Sequence, residues 1–151
     1  MAKTKQIKKI KATSKKTTIK TTVSYENIIP AWMFDKIDRN GKFAFDIMRD
    51  DFDHYEILDK MISYSTMTWA QLKKQTHDNG KSKHHYLDIN KLSREAQNRL
   101  TLMQLEESSD QLYSIALQNK LRIVGLRDKD RFHVLWYDPE HEVCTSQKKC
   151  T

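Results

Sequence analysis

Four histidines and one arginine carry the chemistry that this sequence offers. His84 and His85 stand side by side, His133 lies inside an apolar run, and His141 follows Trp136-Tyr137-Asp138-Pro139-Glu140. An imidazole titrates near about 6.5, so it can give and take protons at neutral pH and serve as a general acid or base. Arg122 sits between Leu121 and Ile123. It therefore points off the apolar side of its segment, toward any phosphate placed there. Arg127, Lys129 and Arg131 cluster a few residues later and suit a phosphate-binding rim. Trp136 and Tyr137 are flat rings that suit stacking on a base. The combination fits proton transfer beside a phosphodiester. The catalytic candidates are His133, His141, His84, His85 and Arg122, and the RNA-binding candidates are Arg127, Lys129, Arg131, Trp136 and Tyr137.

Each candidate also has a plain structural reading. Arg122 is equally a solvated strand residue, and charged hairpin tips such as Arg127–Arg131 are routine. Trp136 can fill the core while Asp138-Pro139 turns the chain and leaves His141 exposed. Adjacent histidines point in different directions, so one of His84 and His85 joins any site. His141, Cys144 and Cys150 raise the question of zinc, but a structural site takes four ligands, usually with tight cysteine pairs. With three glycines in all there is little room for a nucleotide cradle. No metal or cofactor is expected.

The elements that must position these residues follow from periodicity and turn chemistry. Leu112–Leu117, Leu121–Arg127 and Phe132–Tyr137 are short apolar runs split by Asn119-Lys120 and Asp128–Arg131. Gaps this short leave no room for a crossover helix, so the runs predict an antiparallel meander. Upstream, Phe43, Phe45 and Ile47 alternate with Ala44, Asp46 and Met48, which predicts a strand over 42–48 after the Asn40-Gly41 turn. Asp50–Asp53 supplies helix-start chemistry. Leu58, Met61, Ile62, Trp69 and Leu72 then keep helical spacing, with a break near Tyr64 and a restart at Thr68. Lys91–Glu107 predicts a second helix, with Glu95 and Arg99 four apart in the favourable order. His84–Asp88, between the helices, is short and extended or looped. The order strand, helix, helix, three-stranded meander predicts an α+β domain, an antiparallel sheet with its helices packed on one face.

Charge divides the chain. Residues 1–22 hold eight lysines and no acid, whereas the remainder holds 19 basic and 20 acidic residues, so the formal charge of +7 belongs to the tail. A Lys/Thr/Ser segment cannot bury enough surface to offset ordering entropy. Residues 1–22 are thus expected to be a disordered basic tail, able to neutralise a polyanion without reading sequence. Residues 23–41 read as an irregular arm that packs Trp32 and Phe34 on the body. Residues 42–144 form one domain and 145–151 a flexible C-terminus. No stretch approaches the roughly 20 apolar residues of a membrane span. Two cysteines near the C-terminus make no disulfide framework, so a cytoplasmic, reducing compartment is expected.

The element order resembles that of the RelE-type toxins, small bacterial endoribonucleases with HigB and YoeB relatives. The local likeness lies in Tyr113-Ser114-Ile115-Ala116-Leu117, a turn, Leu121-Arg122-Ile123-Val124, a second turn, and Phe132–Trp136. Phe45-Asp46 before the first helix is a weaker echo. The resemblance implies attack of a ribose 2′-hydroxyl on the adjacent phosphate, with Arg122 at the phosphate. It also implies RNA, held on the ribosome, as substrate and a small antitoxin as partner. Ser114 and Ala116 stand where that family carries lysines, so the resemblance implies histidine in the proton-transfer roles. The competing expectations are a non-catalytic nucleic-acid- or ribosome-binding protein, and a protein-interaction domain that takes a partner strand on its sheet edge.

Overall fold

The computed structural model describes residues 23–106 and 111–145. The expected basic tail, and the expected flexible C-terminus apart from Thr145, lie outside the described residues. The fold is α+β, with an open, mixed five-stranded sheet in the order β1-β5-β4-β3-β2. The strands are β1 (Ala31–Met33), β2 (His85–Asp88), β3 (Gln111–Ala116), β4 (Arg122–Asp128) and β5 (Arg131–Asp138), and the helices are α1 (His54–Tyr64), α2 (Trp69–Lys73) and α3 (Arg94–Leu102).

The meander forms as its turn chemistry dictates. β3 pairs with β4 and β4 with β5, both antiparallel. The break between the first two helices also falls where the Ser/Thr-rich stretch predicts it. Asp53 caps α1 by accepting from the Glu56 amide, and Thr68 and Gln71 close a reciprocal capping box on α2.

Several expectations are corrected. The sheet is not purely antiparallel, because the arm supplies β1, which lies parallel to β5 with Trp32 opposite Phe132. Parallel neighbours need a long connection, and everything from α1 to β4 lies between these two strands. Trp32 packs edge-on against Phe132 and donates to Ser65 Oγ at 2.8 Å, whereas Phe34 is exposed.

Residues 42–48 make only one bridge, Ala44 to Trp136, not a strand. The segment crosses between two cores. Phe43 packs with Trp136 on one side, and Phe45 packs with Phe52 and Tyr137 on the other. Ile47 and Met48 are left exposed beyond the crossing.

The helices are not confined to one face. Ile57 and Tyr64 of α1, with Trp69 and Leu72 of α2, share a core with Tyr113, Ile115, Ile123, Phe132, Val134 and Tyr137. On the opposite face, Ala96 and Leu100 of α3 pack with Leu112, Val124, Leu126, Leu135 and Trp136. The cause lies in the strands, where every residue from Leu112 to Leu117 and from Phe132 to Asp138 is buried. A sheet apolar on both faces must be covered on both.

The α3 helix is shorter than its pattern, because Ile89–Lys91 form a single 3-10 turn and Ser93 becomes the cap. Glu95 and Arg99 do not pair with each other. Glu95 lies 3.6 Å from Lys42, while Arg99 grips the buried Asp38 with two hydrogen bonds. Asp38 also accepts from the Trp136 indole at 3.0 Å, which ties α3 to the sheet. A bulge at Val124/Gly125 turns both Leu135 and Trp136 onto the α3 face.

Candidate functional site

The β-ladder register sets the site. Arg122 of β4 lies opposite Asp138 of β5 on one side and Ala116 of β3 on the other, and Ser114, two residues from Ala116, faces His85 of β2. Directly opposed residues share a face, so Arg122, Asp138 and His85 project to the α3 side, near one end of the sheet. Ala116 puts only a methyl group between Arg122 and the strand that carries His85.

His141 reaches the same place through a turn. The Asp138 carboxylate accepts from the Glu142 amide at 2.8 Å and the Val143 amide at 3.0 Å, which folds residues 139–143 back over the strand end. His141 sits within that turn in the left-handed region, φ 57°, a conformation that costs a non-glycine residue about 1 kcal/mol or more. His77, in the loop after α2, lies within electrostatic range of Arg122, His85 and His141.

The Arg122 charge acts on His77, His85 and His141 alike. Arg122 is buried, and its Nη1 donates to the Asn119 and Leu121 carbonyls at 2.8 and 2.9 Å, while Nε has no partner. Burial, followed by the Arg122 charge, lowers the His77, His85 and His141 imidazoles. His141, which also feels His85 and His77, falls to about 4. Burial pushes the Asp138 carboxyl up, against the hydrogen bonds from the two amides. The three imidazoles are half-buried and accessible. At neutral pH they are uncharged and face one cation whose hydrogen bonds are not all used. The Asp138 carboxylate stands across the ladder from that guanidinium, and an added anion there would stabilise the protonated imidazoles and so raise their pKa values.

The remaining candidates lie elsewhere. His84 points to the opposite face. It is buried against Tyr64, accepts from the Ala116 amide on Nδ1 at 3.1 Å and meets Gln75 Oε1 through Nε2 at 2.8 Å. Burial, with nearby positive charge, lowers it to about 3. His84 is thus a satisfied core histidine, and the site takes its neighbour. His133 lies five residues from Asp138, roughly 16 Å along the strand, and pairs with Asp35 at 2.6 Å. It does not join Arg122 and His141, so of the five catalytic candidates only His85, His141 and Arg122 fall near one end of the sheet.

Trp136 and Tyr137 are not placed to stack a base, since both are buried. Trp136 donates to Asp38, while the Tyr137 hydroxyl donates to the Asp51 carbonyl and accepts from the Asp53 amide. Ordinary strand alternation sends the two successive side chains to opposite cores, Trp136 to the α3 side and Tyr137 to the α1 side.

Arg127, Lys129 and Arg131 occupy the opposite end of β4 and β5. The Arg127 guanidinium lies 4.1 Å from the Trp69 ring and pairs with Glu26 at 2.7 Å, so it is packed rather than free. Lys129 and Arg131 are exposed.

No family model, curated protein or solved structure matches this chain.

His77 and Asp138 are the candidate positions that sequence reasoning missed. His77-Asp78-Asn79-Gly80 reads as a helix-ending loop, and nothing local says that it returns to the strand end. Asp138 reads as half of an Asp-Pro turn, which it is, but its carboxylate also holds His141. Cys144 is disulfide-bonded and its Sγ lies 3.4 Å from the Lys91 carbonyl oxygen. That takes Cys144 out of any thiolate ligand set.

Proposed function

We propose that this chain is a RelE-like, metal-independent endoribonuclease whose reaction site is the Arg122–His85–His141 cluster. One observation carries the reading: two accessible imidazoles, supplied by different elements, share the field of one buried guanidinium. The antiparallel β3-β4-β5 meander supports it, while the expected strand over 42–48 is not formed, the sheet is mixed and helices cover both faces. Ser114 and Ala116, buried where the RelE pattern has lysines, leave the proton chemistry to histidine.

In this reading the scissile phosphate lies against Arg122. His141, neutral at pH 7, takes the proton from the 2′-hydroxyl, and that oxygen attacks phosphorus. The bond from phosphorus to the 5′-oxygen breaks. His85, protonated once the phosphate is bound, gives its proton to the departing oxygen. The products are a 2′,3′-cyclic phosphate and a 5′-hydroxyl, with no net change in protons. A positioned acid or base typically contributes 10²–10⁴-fold.

The same reading makes RNA the partner, on the ribosome as in the family, with a small antitoxin as regulator. The lysines of residues 1–22 add salt-sensitive affinity. No helix among the described residues is long and apolar enough to cross a membrane. A cytoplasmic site of action goes with the substrate, although a disulfide at Cys144 is unusual there.

A second reading, non-catalytic nucleic-acid binding, is favoured by the burial of Arg122 and the use of its Nη1 by the chain's own carbonyls. Incubating the full chain with single-stranded RNA in EDTA separates the two. The nuclease reading expects cyclic-phosphate ends, lost at least 100-fold in His141→Ala and His85→Ala. Binding with intact RNA would favour the second.

A further inference from the structure

Leu58 and Ile62 keep the spacing of core residues, yet in the folded chain they are 61% and 60% exposed. With Tyr55, 79% exposed, they form a stripe on α1 at intervals of three and four residues. That is the spacing of a helix that packs against another helix. Ile57 and Tyr64 of α1 already fill the core, so the stripe is a second apolar side of the same helix.

The stripe borders a hollow. His54, at the start of α1, donates from Nε2 to the Ile47 carbonyl oxygen at 2.8 Å, and Ser65, just past its end, holds the Trp32 indole. His54, Leu58, Met61 and Ser65 follow intervals of four, three and four, which is one side of a helix. Leu58 therefore faces the segment 32–47, and Ile62, four residues on, continues its row. In that segment Phe34, Ile37, Arg39, Phe45, Asp46 and Ile47 line a cavity of about 450 Å³. Phe45 is its buried floor, while Phe34, Ile47 and Met48 are 47%, 57% and 82% exposed. β1 is an outer strand of the sheet, so no further strand among the described residues covers this side.

Taking roughly 150–200 Å² for each large side chain, the six exposed residues leave on the order of 600–800 Å² of apolar surface in water. The largest apolar patch of a monomer is about 300–600 Å², and a standard interface takes about 800 Å² from each partner. The face also holds both halves of a fit, since Tyr55 and Met48 project and the cavity receives. A surface that matches itself needs both, because in two-fold pairing residue i meets j while j meets i. Its rim carries both signs of charge. Arg39 and Asp46 line the cavity, and Asp59 lies between Tyr55 and Ile62 along α1. None of the three makes an ion pair among the described residues. Residues 1–22, the other available cover, offer Met1 and three isoleucines as their large apolar side chains, too few for a face of this size.

We propose that a second copy of this chain covers the face, in a two-fold symmetric dimer with α1 packed on α1. The projecting side chains of each copy enter the cavity of the other, and Arg39 of each meets the acids on the opposite rim. The proposal does not depend on the nuclease reading. α1 and the Arg122 cluster lie on opposite sides of the sheet, so both copies of the cluster stay open in the dimer.

Analytical ultracentrifugation of the full chain, from micromolar to several hundred micromolar, tests this. A reversible equilibrium that reaches twice the mass of one chain is expected. Leu58→Asp and Ile47→Asp, on the two walls, are each expected to weaken it about 30-fold or more. Both side chains are already exposed, so the circular-dichroism melt should be kept. Leu102→Asp, on α3 and also exposed, is expected to leave the equilibrium unchanged. A monomer throughout the range overturns the proposal, and so does a dimer indifferent to Leu58→Asp and Ile47→Asp. A monomer whose residues 1–22 gain trypsin cleavage in Leu58→Asp gives the face to the chain's own tail and overturns the second copy.

Discussion

Asp138 stands directly across the β4–β5 ladder from Arg122, and its carboxylate caps the turn that carries His141. One acid thus faces the guanidinium and also fixes the imidazole beside it. Asp138 touches no reacting atom in the proposed mechanism and is a positioning residue. Asp138→Ala frees two amides and loosens the turn. It is expected to lower kcat about 10- to 100-fold and to cost roughly 2–3 kcal/mol of stability. Asp138→Asn keeps one acceptor oxygen and should recover much of both. Equal losses in the two variants would mean that charge, not the cap, is what matters.

Acid should destabilise the protein through His84. Its imidazole falls from 6.5 unfolded to about 3 folded. Between those values the unfolded chain binds more protons, so stability is present above about pH 6.5 and is lost as pH falls toward 3. At 1.36 kcal/mol per unit, the loss is on the order of 3–5 kcal/mol. Urea midpoints from pH 7.5 to 4 read it directly. His84→Gln should be less stable at pH 7, because the Ala116 amide loses its acceptor, but should show a flatter acid slope. An unchanged slope would remove His84 from this role.

Activity should be highest on the acid side of pH 6.5. Both His85 and His141 lie below the ordinary imidazole value in the free protein, and kcat/KM follows the free enzyme's acid and base. As pH rises above about 6.5, the fraction with one imidazole protonated falls, and the rate falls with it. Arg122→Gln removes the positive neighbour, so the optimum should move to higher pH as the overall rate drops. A pH profile of kcat/KM on a short RNA checks both the position and the direction of movement.

Gly125 should tolerate no side chain. A Cβ built there would lie 2.1 Å from the His133 carbonyl oxygen, because the bulge brings β5 against it. Gly125→Ala must push the central strands apart and is expected to cost about 3 kcal/mol or more. Chemical denaturation measures this. A cost under about 1 kcal/mol would mean that the bulge is easily rearranged.

The meander and the helix break near Tyr64 were legible because each rests on local signals, turn residues and period. The second face of the sheet was legible in principle, since Leu112–Leu117 is apolar on both sides, but alternation inside one run does not say what covers it. Phe43 and Phe45 mislead for a similar reason. Two apolar residues two apart look like one strand face, yet here they enter different cores. Arg122, His85 and His141 were legible as residue types. What brings them together is ladder register and the Asp138 cap, which are long-range facts. His133 has the same chemistry and the same strand, but register places it at the wrong end.

The shared field around Arg122 is most directly tested by NMR titration of the His85 and His141 ring protons in the full chain, with and without a 2′-deoxy-substituted, uncleavable RNA. The account expects His141 to titrate near 4 and His85 below 6.5 in the free protein. Both should rise on RNA binding, and both should rise in Arg122→Gln without RNA. Two independent titrations near 6.5, unmoved by RNA or by loss of the guanidinium, would contradict it.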